Sequence, residues 1–348
     1  MKRVRFPLLL SFLAILLSTC QQAPPRPFLE EQLPEGQPRL TWPRPPAVAR
    51  VTYLAEISSE KAFAAPRPWL RRLARALWGR PEERFVRPAA LCVREPLLAV
   101  ADPGRAAVHL LDLVERRWTT VTRTPDGMLA SPVGVACLPD GHVIVSDSVR
   151  QALWIYDDNG TPKGRFTESE LQRPTGLALD LTKRRLWVTE TLAHRVLAFD
   201  LTGRALDHVG SRGSAPGQFN YPTMIASDRN GGLWVTDSLN ARLQHVDAPG
   251  RVDRLFGTAG DRAGAFARPR GLAVDTAGRI FAVDALFDAV QIFDDKGNLL
   301  LVFGERGVGP GQFWLPSDVA MDERNRIYVA DSYNQRIQIF AYHAPNPD

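Results

Sequence analysis

The sequence lacks the short motifs that most often reveal a catalytic centre. It has no Cys-x-x-Cys-His for haem attachment, no glycine-rich phosphate loop and no Gly-x-Ser-x-Gly nucleophile turn. It also lacks a long apolar run, because the stretch from Phe6 to Leu17 is too short to span a bilayer as a helix. By contrast, 28 prolines and 26 glycines indicate many turns, as in a turn-rich all-β protein.

The N-terminus has the layout of an export signal, with a basic start, the short apolar run and then small residues. Leu17-Ser18-Thr19-Cys20 resembles the lipobox of bacterial lipoproteins, which implies lipidation of Cys20. Thr19 departs from the Gly, Ala or Ser usual before that cysteine, so an ordinary secretory signal or an uncleaved anchor stays open. By the sorting rule of that family, Gln21 favours the periplasmic side of the outer membrane. A soluble periplasmic or secreted protein is the alternative.

The positive charge is unevenly distributed. Of the net charge of +5, much comes from residues 61–87, which hold eight basic and two acidic residues. The rest of the chain after the signal is slightly acidic. A nucleic-acid binder normally carries its basic surface on the folded domain, so we expect no nucleic-acid partner.

One pattern recurs six times along the chain. An apolar residue is followed three positions later by a proline, then by an apolar run, a turn, and a second run that ends in an acid. The prolines are Pro88, Pro132, Pro174, Pro222, Pro269 and Pro316. The acids are Asp102, Asp147, Glu190, Asp237, Asp284 and Asp331. Third and fourth runs follow in most units, and four strands per period are typical of a β-propeller blade.

The last unit identifies a family. GPGQFWLPSDVAMDERNRIYVADSYNQRIQIF resembles an NHL repeat almost position for position, GQFNYPTMIASDRNGGLWVTDSLNARLQHV is nearly as close, and the first two copies are degenerate. The resemblance implies an all-β, six-bladed β-propeller. The sixth unit supplies only three strands, and ARVTYLAEI before the first unit has no partner. We therefore expect residues 49–57 to become the outer strand of the last blade and close the ring.

The remaining segments complete the predicted organisation. Residues 21–48 hold eight prolines without apolar periodicity, as in an extended tether. PRPWLRRLARALWG places its large apolar residues on one helical face, which predicts a short amphipathic helix emerging on the face that carries the loops after the repeated acids. It packs on the propeller or contacts a membrane or a partner. The predicted parts are a signal at 1–20, a tether at 21–48, a propeller at 49–342 with a helical insertion at 58–86, and a tail at 343–348.

Cys92 and Cys137 fall on the inner strands of neighbouring blades, at adjacent and non-equivalent positions of the repeat. Because successive side chains of a strand face opposite ways, we expect buried free thiols rather than a disulfide.

The repeated acids invite a catalytic interpretation, but an arginine follows five positions after Glu190, Asp237 and Asp331. We expect structural ion pairs and turn roles for these acids. The aspartates before the first turn of a unit are likewise predicted to be turn residues; they are Asp180, Asp228, Asp275 and Asp322.

The sequence predicts no cofactor. NHL-like amidating lyases hold zinc with several converging histidines, whereas the six histidines here fall mostly in outer strands and turns and only His194 lies in a loop on the expected face. Propeller hydrolases hold calcium with scattered acids and amides. Asp318 and Asn240 could contribute, but the positions equivalent to Asp318 are neutral: Ala90, Gly134, Gly176, Met224 and Gly271.

Residues that break the repeat near the channel mouth are the candidate binding face. They are Arg150, His194, Asn240, Arg270, Phe287, Asp318 and Tyr333. The predicted function is that of an exported, lipid-anchored binding or scaffold protein for a protein, peptide or glycan partner in the bacterial envelope. The alternative is a metal-dependent hydrolase or lyase with its site in the propeller channel.

Overall fold

The chain forms an all-β, six-bladed β-propeller, as the repeat predicts. The computed structural model describes residues 27–31, 40–64, 82–167, 169–247 and 251–344. Its six large antiparallel sheets are the blades, and in the first five of them the chain runs from the inner strand outward. Helix is confined, in these ranges, to α1 (Phe28–Glu31), α2 (Glu60–Phe63) and one 3-10 turn at Ser238–Asn240.

The strands follow the repeat blade by blade. Blade 1 contains β3 (Ala90–Arg94), β4 (Leu97–Asp102), β5 (Ala107–Asp112) and β6 (Arg117–Val121). A small hairpin consists of β7 (Arg123–Thr124) and β8 (Gly127–Met128). Blade 2 contains β9 (Pro132–Cys137), β10 (Val143–Asp147), β11 (Ala152–Tyr156) and β12 (Pro162–Arg165). Blade 3 contains β13 (Pro174–Asp180), β14 (Arg185–Glu190), β15 (Arg195–Asp200) and β16 (Ala205–Val209).

The second half of the ring repeats this order. Blade 4 contains β17 (Pro222–Ser227), β18 (Leu233–Asp237), β19 (Arg242–Val246) and β20 (Val252–Phe256). Blade 5 contains β21 (Pro269–Val274), β22 (Ile280–Asp284), β23 (Ala289–Phe293) and β24 (Leu299–Phe303). Blade 6 contains β25 (Asp318–Met321), β26 (Arg326–Asp331), β27 (Arg336–Tyr342), β2 (Val51–Ile57) and β1 (Thr41–Trp42).

The hydrophobic core lies between the blades. Second strands such as β10 and β22 are buried at every position, because neighbouring blades cover both of their faces. Outer strands such as β12 and β20 alternate between partial burial and exposure. The buried apolar side chains form six clusters in the described chain, one at each contact between neighbouring blades.

The prediction that an N-terminal strand closes the ring is confirmed. Strand β2 pairs antiparallel with β27, from Val51 opposite Tyr342 to Ile57 opposite Ile337. Strand β1, which the sequence did not predict, adds a fifth strand outside β2. Its Trp42 packs 5.8 Å from the Phe340 ring and 5.9 Å from the Phe303 ring, measured between centroids, so the closing strand is itself covered.

Hydroxyl side chains link several blades near the channel. The residue after the repeated acid donates to the carbonyl of the repeat proline in the next blade at three of the contacts between blades. The pairs are Thr191 with Pro222 at 2.8 Å, Ser238 with Pro269 at 2.9 Å and Ser332 with Pro88 at 2.8 Å. The last pair joins blade 6 to blade 1, so the closing contact of the ring has the same link as the internal ones.

The expectation of free thiols is wrong, because Cys92 and Cys137 form a disulfide with their Cα atoms 5.8 Å apart. Leu91 packs toward blade 6 and Cys92 toward blade 2, whereas Ala136 packs toward blade 3 and Cys137 toward blade 1. Neighbouring blades contact each other through opposite faces of their sheets. A side chain that points toward the next blade, such as Cys92, therefore meets one that points back, such as Cys137.

The N-terminal segments are used differently from the prediction. The described parts of the predicted tether pack on the propeller: Phe28 is buried and lies 5.2 Å from the Phe63 ring, in the cluster between blades 6 and 1. These apolar side chains fill the space where the two blades diverge. The predicted amphipathic helix at 66–79, Cys20 and the signal lie outside the described residues. The described flanks of the insertion contact blade 1, where the Phe63 carbonyl accepts from Arg116 and the Val86 N–H donates to Asp102 at 2.6 Å.

Candidate binding face at the channel mouth

One end of the propeller carries both the starts of the inner strands and the loops that follow the repeated acids. We call this end the acid-loop face. Its geometry follows from the sheet register, because Pro132 pairs with Asp147 and Pro269 pairs with Asp284. The candidate binding residues inferred from the sequence all belong to loops or strand ends of this face.

The repeated acids support the loops of this face, as predicted. All six are fully buried, and each accepts from backbone N–H groups that lead into the inner strand of its blade. The predicted ion pairs are confirmed at 3.5 Å for Glu190 with Arg195, 2.7 Å for Asp237 with Arg242 and 2.8 Å for Asp331 with Arg336. The turn aspartates are confirmed as well, since Asp228 and Asp322 accept from the backbone N–H groups of the turns that follow them.

Exposed apolar side chains form a ring on the acid-loop face. In five blades, the residue two positions after the repeated acid is large, apolar or aromatic, and between 46% and 68% exposed. The members of this apolar ring are Val149, Leu192, Leu239, Leu286 and Tyr333. Blade 1 has Gly104 instead, where a Cβ would come within 2.8 Å of the Arg87 Cβ. Of these residues, only Tyr333 was predicted from the sequence. The others could have been predicted from their constant position two residues after the repeated acid.

Several predicted face residues support the loops instead of facing a ligand. His194 is buried, and its Nδ1 accepts the Tyr221 backbone N–H at 3.2 Å. Asn240 donates from Nδ2 to the Gly213 carbonyl at 2.9 Å and to Asp237 at 2.8 Å. Arg150 is exposed, with its Nε donating to the Met128 carbonyl at 3.1 Å, and Phe287 is half-buried.

Asp318, Arg270 and Tyr333 come together around the channel mouth. Asp318 is buried, and its carboxylate accepts the Leu91 backbone N–H at 2.8 Å across the contact between blades 6 and 1. Burial raises the pKa of this carboxyl to about 7, against the lowering effects of the backbone N–H groups of Leu91 and Val319 and of the Arg270 charge. A buried acid whose pKa is this perturbed is typical of a functional site.

Replacing Asp318 by asparagine should change how stability depends on pH. The folded pKa of about 7 lies above the ordinary value of 3.8, so this carboxyl lowers the free energy of unfolding as the pH rises from about 4 to about 7. Asparagine keeps an oxygen for the Leu91 N–H and removes the charge. We expect Asp318→Asn to be more stable than the wild type at pH 8, by on the order of 1–3 kcal/mol. Thermal unfolding of both proteins at pH 4 and pH 8 measures this, and identical pH dependence would contradict it.

The described residues include no group of three or more histidine, cysteine, aspartate or glutamate side chains placed to hold a metal ion. The two residues considered for calcium lie on different blades: Asp318 is on blade 6, while Asn240 follows the second strand of blade 4. No helix in the described ranges is long and apolar enough to cross a bilayer.

Comparison with known families identifies the repeat. The NHL repeat model matches residues 313–340, which comprise the start of the last unit, strands β25 and β26, and most of strand β27. The chain is a six-bladed β-propeller whose last unit matches the NHL repeat. No curated protein matches it significantly.

Solved structures share the propeller fold at low sequence identity. A protein of unknown function from Bacteroides thetaiotaomicron is 17% identical with a TM-score of 0.61, over 75% of this chain and 70% of that one. An auxiliary nutrient binding protein from Bacteroides ovatus is 13% identical with a TM-score of 0.58, over 75% and 70%. Virginiamycin B lyase from Staphylococcus aureus is 15% identical with a TM-score of 0.54, over 74% and 96%. Likeness at this level of sequence identity shows that the fold is shared and carries no information about activity.

Proposed function

We propose that this NHL-repeat propeller is an exported, lipid-anchored binding protein that presents its acid-loop face to a protein, peptide or glycan partner in the bacterial envelope. The observation that carries the proposal is the apolar ring. Scattered exposed apolar residues are ordinary, but five at one repeat position around one channel mouth form an organised surface. Apolar and aromatic side chains within a polar rim are typical of interaction sites.

The loops that carry the ring are rigidly supported, which favours binding. Buried acids hold their backbones, and Arg242 binds Asp237, the Ser214 carbonyl at 2.6 Å and the Ala215 carbonyl at 3.0 Å. A surface that is already ordered loses little conformational entropy when a partner binds. The exposed side chains are therefore presented in a fixed arrangement.

One feature of the structure supports an envelope location. The Cys92–Cys137 disulfide suits an oxidising compartment. Cys20 is the proposed lipidation site, and its lipid would hold the propeller at the membrane. A Cys20→Ser variant that still sediments with the outer membrane would contradict the anchor.

Site-specific photocrosslinking in cells tests the binding face. Leu192 and Leu181 are a matched pair, because both belong to blade 3 and both are 46% exposed, but Leu181 lies at the opposite end of the propeller in the turn after β13. We expect a photoreactive residue at position 192 to give discrete adducts and one at position 181 to give none. Equal adducts from both positions, or none from position 192, would overturn the assignment of the face.

A further inference from the structure

Three arginines at the channel mouth form no ion pair in the part of the chain that the structure describes. Among the residues that the structure describes, no hydrogen bond or ion pair engages the side chains of Arg87, Arg268 or Arg270. Two other arginines of the acid-loop face are paired: Arg242 pairs with Asp237, and Arg336 pairs with both Asp331 and Glu56. Of the three, only Arg270 is partly buried, and a partly buried cation without an ion pair costs free energy that the fold does not recover.

The local backbone presents Arg270 to the mouth. The ladder between β21 and β22 passes from Pro269 opposite Asp284 directly to Leu272 opposite Ala282, so Arg270 and Gly271 form an irregularity in β21. Such bulges redirect a side chain from the regular alternation of a strand. Gly271 is needed beside it, because a Cβ there would come within 2.3 Å of the Asp318 Cα.

The charged groups that act electrostatically on Arg270 belong to blades 1, 5 and 6. Burial lowers the pKa of Arg270, Arg268 of the same blade lowers it further, and Arg87 of blade 1 adds to the effect. Asp318 and Tyr333 of blade 6 act in the opposite direction. Asp318 supplies no more than one negative charge against three guanidinium groups, and it forms no ion pair with Arg270 within the described residues.

We propose that Arg87, Arg268 and Arg270 form an oxyanion site that binds a carboxylate or phosphate group of the ligand at the channel mouth. Guanidinium groups bind both kinds of oxyanion through charge-assisted, often bidentate hydrogen bonds. The inference rests on the proposed function for the choice of face and adds the chemistry of the ligand. An anionic group at the centre and apolar contacts at the ring would then be recognised together.

Calorimetric titration of the purified full-length protein tests the site with two probes, inorganic phosphate and succinate, at low ionic strength. We expect saturable binding of at least one probe. Preference for phosphate assigns a phosphorylated ligand, and preference for succinate assigns a carboxylate. Succinamide, which has the same carbon skeleton without charge, should not bind. Failure of both anions to bind would overturn the oxyanion site.

Three variants show whether the arginines carry the binding. Arg270→Gln should weaken the affinity at least tenfold, because one charge-assisted contact is lost. The double variant Arg87→Gln with Arg268→Gln changes two exposed side chains, so it reports on the site without threatening the fold. Arg229→Gln is the control, since Arg229 is exposed in a turn at the opposite end of blade 4. Equal weakening by the control would mean nonspecific charge binding and would reject the site.

The two proposals fail separately. If photoadducts form at position 192 while neither anion binds, the acid-loop face stands and the oxyanion site is rejected. If phosphate or succinate binds through Arg270 while position 192 gives no adduct, the oxyanion site stands and the apolar ring is rejected as a partner surface.

Discussion

Deletion of residues 49–57 is expected to prevent folding, or to lower the free energy of unfolding by about 5 kcal/mol or more, because the last blade then lacks its outer strand. Val51 and Ile57 are completely buried, and Ala55 is nearly so. Their loss would expose strand β27, whose Ile337 and Ile339 are also fully buried. Chemical denaturation followed by circular dichroism measures the change, and an unchanged transition would contradict the closure of the ring.

Point variants separate closure from a general effect of deletion. Ile57→Ala should cost about 2–5 kcal/mol, as large-to-small changes in a packed core do. Glu56→Gln in the same strand is the matched control, because it removes only the ion pair with Arg336. The Glu56 side chain is 40% exposed. A partly exposed pair of this kind contributes under about 1 kcal/mol. A larger effect from Glu56→Gln than from Ile57→Ala would contradict the packing described for this strand.

Replacing Cys92 and Cys137 together by alanine is expected to lower the free energy of unfolding by about 4 kcal/mol, because the disulfide closes a loop of 45 residues. The bond joins the inner strands of blades 1 and 2, so the unfolded chain loses conformational freedom while the folded blades keep their packing. Urea denaturation of the variant and of the wild type measures the difference.

Two controls accompany the cysteine variant. Reduced wild-type protein should unfold at nearly the same urea concentration as the double variant, since both lack the bond. Denatured protein that has never been reduced should show neither Cys92 nor Cys137 labelled by a maleimide. Labelling of both without a reductant would show that the thiols are free and would reject the disulfide.

The parts of the fold that the sequence predicts are those defined by repetition. The three-residue spacing from Phe313 to Pro316 recurs in every unit, an acid like Asp331 follows the proline by 14 to 16 residues, and each unit became one blade. Ring closure could also be predicted from the sequence. The last unit has only three strands, and residues 49–57 form a strand without a partner in the first unit, so the two were expected to pair. The structural role of the acids followed from their recurrence, since a catalytic group is seldom needed in all six blades.

The features that the sequence did not predict depend on how blades face one another. The Cys92–Cys137 bond required knowing that opposite faces of adjacent sheets meet. The burial of His194 and the packing of Phe28 likewise arise from contacts between segments distant in the chain. The apolar ring was overlooked because Leu239 and its equivalents look like ordinary loop residues until their common orientation on one face is seen.

The pairing of β2 with β27 also governs when the propeller can be completed during synthesis. Val51 and Tyr342 are partners although nearly the whole chain separates them. The ribosome must therefore synthesise strand β27 before strand β2 can pair with it. Until then, the sixth blade lacks its outer strands. Contacts of such long sequence separation form slowly, because the entropy of closing the loop is lost before the contact is made. Assembly of this ring is thus a post-translational event, which is compatible with the proposed export of the chain across a membrane before it folds.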